Sequence, residues 1–123
     1  MTKAIGARRW AIAGGHIPVE SHGPEPAFTS RDQLSILNTG ADGASLAITV
    51  FHPDRDPVGP YEITVPARRV RRIRVNDLIF PEAVELGRPY ALVIESDRPL
   101  VIQFTRFDSS GSGARLGSIA ADL

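Results

Sequence analysis

Apolar and polar positions alternate with a period of two along most of the chain, which is the spacing of a half-buried β-strand. Leu46, Ile48 and Val50 alternate with Ser45, Ala47 and Thr49, and Tyr61, Ile63 and Val65 with Glu62 and Thr64. Arg8 to Ala13, Leu34 to Leu37, Val70 to Val75 and Ala91 to Ile94 read as further strands. Leu100 to Arg106 is rich in β-branched and aromatic residues and adds another. Leu116 to Ala120 is a last short segment. Only Asn76 to Phe80 has the character of a short helical turn, with Asn76 as its cap. Seven or eight short strands at about ten-residue spacing predict an all-β sandwich or small barrel.

The connectors carry turn chemistry. Asn38-Thr39-Gly40-Ala41-Asp42-Gly43 reads as a hairpin-type loop, and Ser96-Asp97-Arg98-Pro99 as a tight turn. His52 to Pro60 contains three prolines and is expected not to continue a ladder. His16 to Thr29 is a long Pro-rich loop, and Ser109 to Gly113 is a flexible linker by composition. No internal repeat or composition shift divides the chain, so residues 1–123 are expected to form one domain.

Composition narrows the class. Apolar residues make up 42% of the 123, an ordinary globular level. No apolar run approaches the roughly 20 residues that span a bilayer. Arg8 and Arg9 interrupt any signal-peptide core, so a cytoplasmic location is expected. The chain has no cysteine, which excludes disulfides, thiolate metal sites and a cysteine nucleophile.

Candidate catalytic motifs are missing. No nucleophile elbow and no phosphate-binding glycine loop occurs, and Ala13-Gly14-Gly15-His16 has neither dinucleotide-fold nor Walker spacing. Asp54 and Asp56 lie in a loop with nothing apolar nearby to raise a carboxyl pKa. His16, His22 and His52 have no spacing that forces convergence on a metal. The expectation is a binding module without enzymatic activity, metal or cofactor.

Charge is balanced overall, with 14 basic and 14 acidic residues, but Arg68, Arg69, Arg71, Arg72 and Arg74 crowd into seven positions. On a strand, Arg68, Arg72 and Arg74 share one face and Arg69 and Arg71 the other. The bland reading is a solvated edge strand or inter-subunit ion pairing. The functional reading is a patch for nucleic acid or an acidic partner, although no aromatic residue is interleaved to stack on bases. Gln103 and Thr105 project with Val101 and Phe107, and Arg106 with Ile102, Phe104 and Asp108. These polar groups within an apolar strand read either as a solvent face or as a polar pocket. Trp10, the one tryptophan, reads as core or as a stacking platform.

Several ordered segments together resemble the sensory-rhodopsin-transducer family of small prokaryotic β-sandwich proteins. They are Trp10 to Ala13 with Gly15, Ile17 and Pro18; Gly23-Pro24-Glu25-Pro26 with Phe28; Ile36-Leu37-Asn38 with Gly40; Pro57 to Tyr61; Thr64 to Arg69; Arg74 with Asn76-Asp77-Leu78; and Gln103 with Thr105, Arg106, Asp108 and Ser109. The resemblance implies an antiparallel β-sandwich assembled as a homotetramer. It implies three roles: recognition of a small polar molecule such as a sugar, docking on a membrane sensory rhodopsin or other protein, and, less favoured, DNA binding. His16 and Phe104 depart from the rhodopsin-associated pattern. For a small polar ligand, Trp10 is the expected stacking surface. Glu25, Asn38, Asn76, Asp77, Gln103, Thr105 and Arg106 are the expected hydrogen-bonding groups.

Overall fold

The computed structural model describes residues 3–25 and 29–110 and the backbone of 115–119. The described residues form seven antiparallel strands: β1 (Ala7–His16), β2 (Arg31–Asn38), β3 (Ala44–Phe51), β4 (Val58–Val65), β5 (Arg69–Arg74), β6 (Pro89–Asp108) and β7 (Arg115–Ile119). β6 organises them. Residues 91–96 of β6 pair with β3, and its first half also pairs with β1. Residues 101–107 pair with β2, and 104–108 with β7. β4 extends the first sheet beyond β3, and β5 the second beyond β2.

The tight turn expected at Ser96 to Pro99 is instead a corner inside β6, so two expected strands, Ala91 to Ile94 and Leu100 to Arg106, are one. Two contacts stabilise this corner. Ser96 Oγ donates to Arg98 O at 2.6 Å, and Ser45 N donates to Asp97 Oδ1 at 2.8 Å. Pairing on both sides holds the backbone extended where isolated turn residues would reverse it.

The buried positions follow the period of two. Leu34, Ile36, Leu46, Ile48, Val50, Leu92, Ile94, Leu100, Ile102 and Phe104 point inward with Trp10 and Ile12 and are all but fully buried. Burying such side chains contributes about 1.5–3 kcal/mol each before ordering entropy is set against it. Two connector expectations change. β4 begins at Val58, because an irregularity opposite Ile48 to Val50 absorbs Gly59 and Pro60, whose missing N–H then interrupts no regular pairing. The turn after β5 is a 3₁₀ turn over Val75–Asp77 whose first flanking residue is Arg74, so Asn76 lies inside it and does not cap it.

Candidate functional site

β1, β3 and the first half of β6 end together with the start of β2 and the end of β6. There a polar cluster closes the apolar core. Asp32 has the inward parity of Leu34 and Ile36 and is fully buried. Its Oδ2 accepts from Tyr90 Oη at 2.5 Å and from His16 N at 2.9 Å, and its Oδ1 from Arg106 Nε at 3.0 Å. Arg106 also donates to the Gly14 carbonyl. Burial raises the Tyr90 hydroxyl pKa far above its ordinary value, and the charge of Asp32 acts in the same direction. Gly15 leaves room for the Tyr90 ring: a Cβ there would sit 2.3 Å from Cε2. Both carboxylate oxygens of Asp32 accept hydrogen bonds within the chain, three in all, which is the pattern of a structural lock between the two sheets.

A serine clamp adjoins it. Ser30 and Ser109, both buried, face each other with Oγ atoms 3.2 Å apart, and Ser109 N donates to Ser30 Oγ at 3.0 Å. Ser30 Oγ lies 3.0 Å from Glu20 O, and His22 N donates to Ser109 O at 2.9 Å. The Pro-rich loop is therefore fastened to the end of β6. Ser109, expected in a flexible linker, is a buried anchor; 111–113 of that segment lie outside the described residues.

The eight expected ligand residues do not converge. Trp10 is core, its indole N–H donating to Ala7 O at 3.1 Å and Leu100 O at 3.2 Å. Asn38 is fully buried and clamps the loop that follows it: Nδ2 donates to Asp42 O, Val65 O and Pro66 O, and Oδ1 accepts from Gly40 N at 2.9 Å. Asn76 Nδ2 donates to Ser30 O at 3.0 Å, while its buried Oδ1 has no partner among the described residues. Asp77 is exposed and pairs with Arg74 at 3.6 Å. Glu25 is exposed on the long loop. Gln103 and Thr105 lie on the outer face, opposite Ser35 and Gln33, and Arg106 lies on the inner one. Alternate residues of one strand face opposite ways, so Gln103 and Thr105 do not share a pocket with Arg106.

His52 Nε2 lies 3.2 Å from Arg55 Nη2, and Asp54 pairs with Arg88 at 2.7 Å. No metal-ligating cluster occurs among the described residues. Of the arginines, Arg68 sits in the β4–β5 turn at φ 54°, not on the strand face assigned to it, because the chain reverses there. Arg72 and Arg74 lie opposite Ser35 and Gln33 on the outer face; Arg69, Arg71 and Ile73 lie opposite Asn38, Ile36 and Leu34. Arg71 crosses the sandwich edge to donate to Thr64 O at 2.8 Å.

Asp32, Tyr90 and Ser30 are unmarked in the sequence pattern, and Ser109 enters it only as a linker and family-segment residue. For Asp32 and Tyr90 a signal existed, since each continues the buried parity of its strand and a buried polar group requires partners. The loop end also exposes large apolar side chains: Val19 (68% exposed), Ile79 (54%), Phe80 (80%) and Leu86 (45%). No helix among the described residues is long and apolar enough to cross a membrane.

Comparison with known proteins accords with this architecture. None of the curated proteins matches. The solved structure of Anabaena sensory rhodopsin transducer is 48% identical, with 85% of this chain and 91% of that one aligned at a TM-score of 0.77. That of Thermotoga maritima 1070 is 29% identical, covering 94% and 93%, with a TM-score of 0.79. The family model described as Anabaena sensory rhodopsin transducer matches residues 5–121, and this chain belongs to that family.

Proposed function

We propose that this protein is a non-catalytic transducer module that works by docking on other proteins, with a membrane sensory receptor as its primary partner. The observation carrying this reading is the exposed apolar loop end, above all Phe80, which leaves 80% of its surface uncovered beside Ile79. A few residues, aromatic ones prominent among them, carry most of the binding energy of protein interfaces. The transducer similarity supports the same role. Titration of the protein against a sensory rhodopsin in lipid nanodiscs tests it. Saturable binding is expected, with Phe80→Ser weakening it about tenfold. Equal binding to empty nanodiscs, or none to either, rejects the reading.

We also propose a cytoplasmic homotetramer. Its support is the shallow apolar outer face of the first sheet, formed by Ala11, Ala13, Phe51, Ala91 and Val93, together with zero net charge. Light scattering that gives a monomer at micromolar concentration contradicts it. A second functional reading, a small polar ligand such as a sugar, is favoured by a different site from the eight residues above. An open cleft of about 460 Å³ at the opposite end is lined by Lys3, Arg8, Asp42 and Arg98, among others. A thermal-shift screen that stays flat at millimolar sugar rejects it.

A further inference from the structure

The free edge of β5 has a pattern that neither the receptor reading nor the cleft uses. β5 ends the strand order β4-β3-β6-β2-β5, and among the described residues it pairs only with β2. Half of the backbone N–H and C=O groups of an edge strand point away from its neighbour, ready to pair with another chain. β5 reads Arg69-Val70-Arg71-Arg72-Ile73-Arg74, and every residue up to Arg72 is exposed. Only Arg74 has a carboxylate within 4.0 Å among the described residues, so Arg69, Arg71 and Arg72 carry uncompensated charge. Arg68 adds a fifth guanidinium at the strand's entrance, in a left-handed conformation at φ 54°.

We propose that this edge takes an acidic, extended segment of a partner protein as an added β-strand. Three features select that occupant. A second copy of β5 is disfavoured because pairing would set arginine against arginine. Duplex or single-stranded nucleic acid satisfies the charge but leaves the strand's backbone groups unpaired, and no aromatic residue lies in β5 to stack on a base. By residue class, β5 is cation–apolar–cation–cation–apolar–cation and reads the same in both directions. Its complement is glutamate–valine–glutamate–glutamate–valine–glutamate. That segment places a carboxylate opposite each of Arg69, Arg71, Arg72 and Arg74, and a valine opposite Val70 and Ile73, whether it enters parallel or antiparallel. Main-chain bonds would supply affinity, and the matched order of charged and apolar positions would supply register. This inference uses a different surface from the receptor reading and stands or falls separately.

The test uses the full chain and a fluorescein-labelled peptide carrying that six-residue segment, followed by fluorescence anisotropy at low salt. Saturable binding is expected, with slowed amide exchange confined to β5. The double variant Arg69→Glu/Arg72→Glu, checked for folding by circular dichroism, should weaken binding about tenfold or more. A peptide N-methylated at every residue keeps its side-chain charge but loses all of its backbone donors, and it should bind at least as weakly. Equal binding of the methylated peptide overturns strand addition. So does equal binding by the arginine variant, or tighter binding of labelled DNA than of peptide.

Discussion

Tyr90 donates its hydroxyl to Asp32 at 2.5 Å, joining the first half of β6 to the first turn-free residues of β2 across the end of the core. The same carboxylate receives Arg106 from the second half of β6. One buried carboxylate thus ties the first half of the bent strand to β2 across the core and holds its second half to β2 within one sheet. Removing it with Asp32→Ala leaves the Arg106 guanidinium, the Tyr90 hydroxyl and the His16 amide without their acceptor. The expected loss is about 3 kcal/mol in urea unfolding. A loss below the error of the measurement would show that water replaces the carboxylate at no cost.

The same pair sets a pH dependence. An unfolded tyrosine releases its proton near pH 10, while burial and the neighbouring Asp32 hold it on Tyr90 well above that value. Above about pH 10 the unfolded state therefore binds fewer protons than the folded one, and stability falls as pH rises. Below that pH the contribution is constant. Tyr61 is shifted in the same direction, chiefly by burial and secondarily by Glu82. Urea midpoints measured from pH 8 to 11 should decline at the alkaline end, and Tyr90→Phe should flatten part of that decline.

The two adjacent glycines of β1 should respond in opposite ways. A Cβ on Gly15 would lie 2.3 Å from the Tyr90 ring, whereas one on Gly14 would meet nothing within 4 Å. Gly15→Ala is expected to cost about 1–3 kcal/mol through forced displacement of a packed ring. Gly14→Ala should stay within about 0.5 kcal/mol of the parent protein. Thermal unfolding of the two variants side by side checks this.

Asn38 acts through its amide chemistry. Its Nδ2 serves three carbonyls, with Asp42 O nearest at 2.9 Å, and its Oδ1 holds Gly40 N. Asn38→Ala should destabilise by about 2 kcal/mol. Asn38→Asp, nearly the same in shape, should be at least as damaging, because a carboxylate cannot donate to those carbonyls. Equal stability of the aspartate variant would sink the donor argument.

Arg68 at φ 54° predicts a gain. Arg68→Gly should raise stability by about 0.5–1 kcal/mol, since glycine adopts that region without a Cβ clash. Arg68→Ala, which removes the same charge but keeps the Cβ, should show no such gain by urea denaturation.

Much of this structure was legible from residue order. Period-two alternation placed the inward rows Leu46-Ile48-Val50 and Leu100-Ile102-Phe104, because a strand's two faces are set by parity alone. It also separated Gln103 and Thr105 from Arg106. The family resemblance located the sandwich, and the family and structural matches agree with it.

What residue order could not decide was which distant residues meet. Ser96 to Pro99 has turn composition in isolation, and only pairing on both flanks makes it the corner of one strand. Trp10 and Asn38 have the chemistry of ligand groups, but their donors are consumed by backbone carbonyls up to 90 residues away. Asp32 is an ordinary acidic residue in the chain, and it becomes a lock because Tyr90 and Arg106 arrive beside it from the two halves of β6. The strand pattern and the family segments were sequence properties, whereas the meeting of Asp32, Tyr90 and Arg106 was not. Alternation is a local property of the backbone, but hydrogen-bond satisfaction in a core is a property of the assembled sheets.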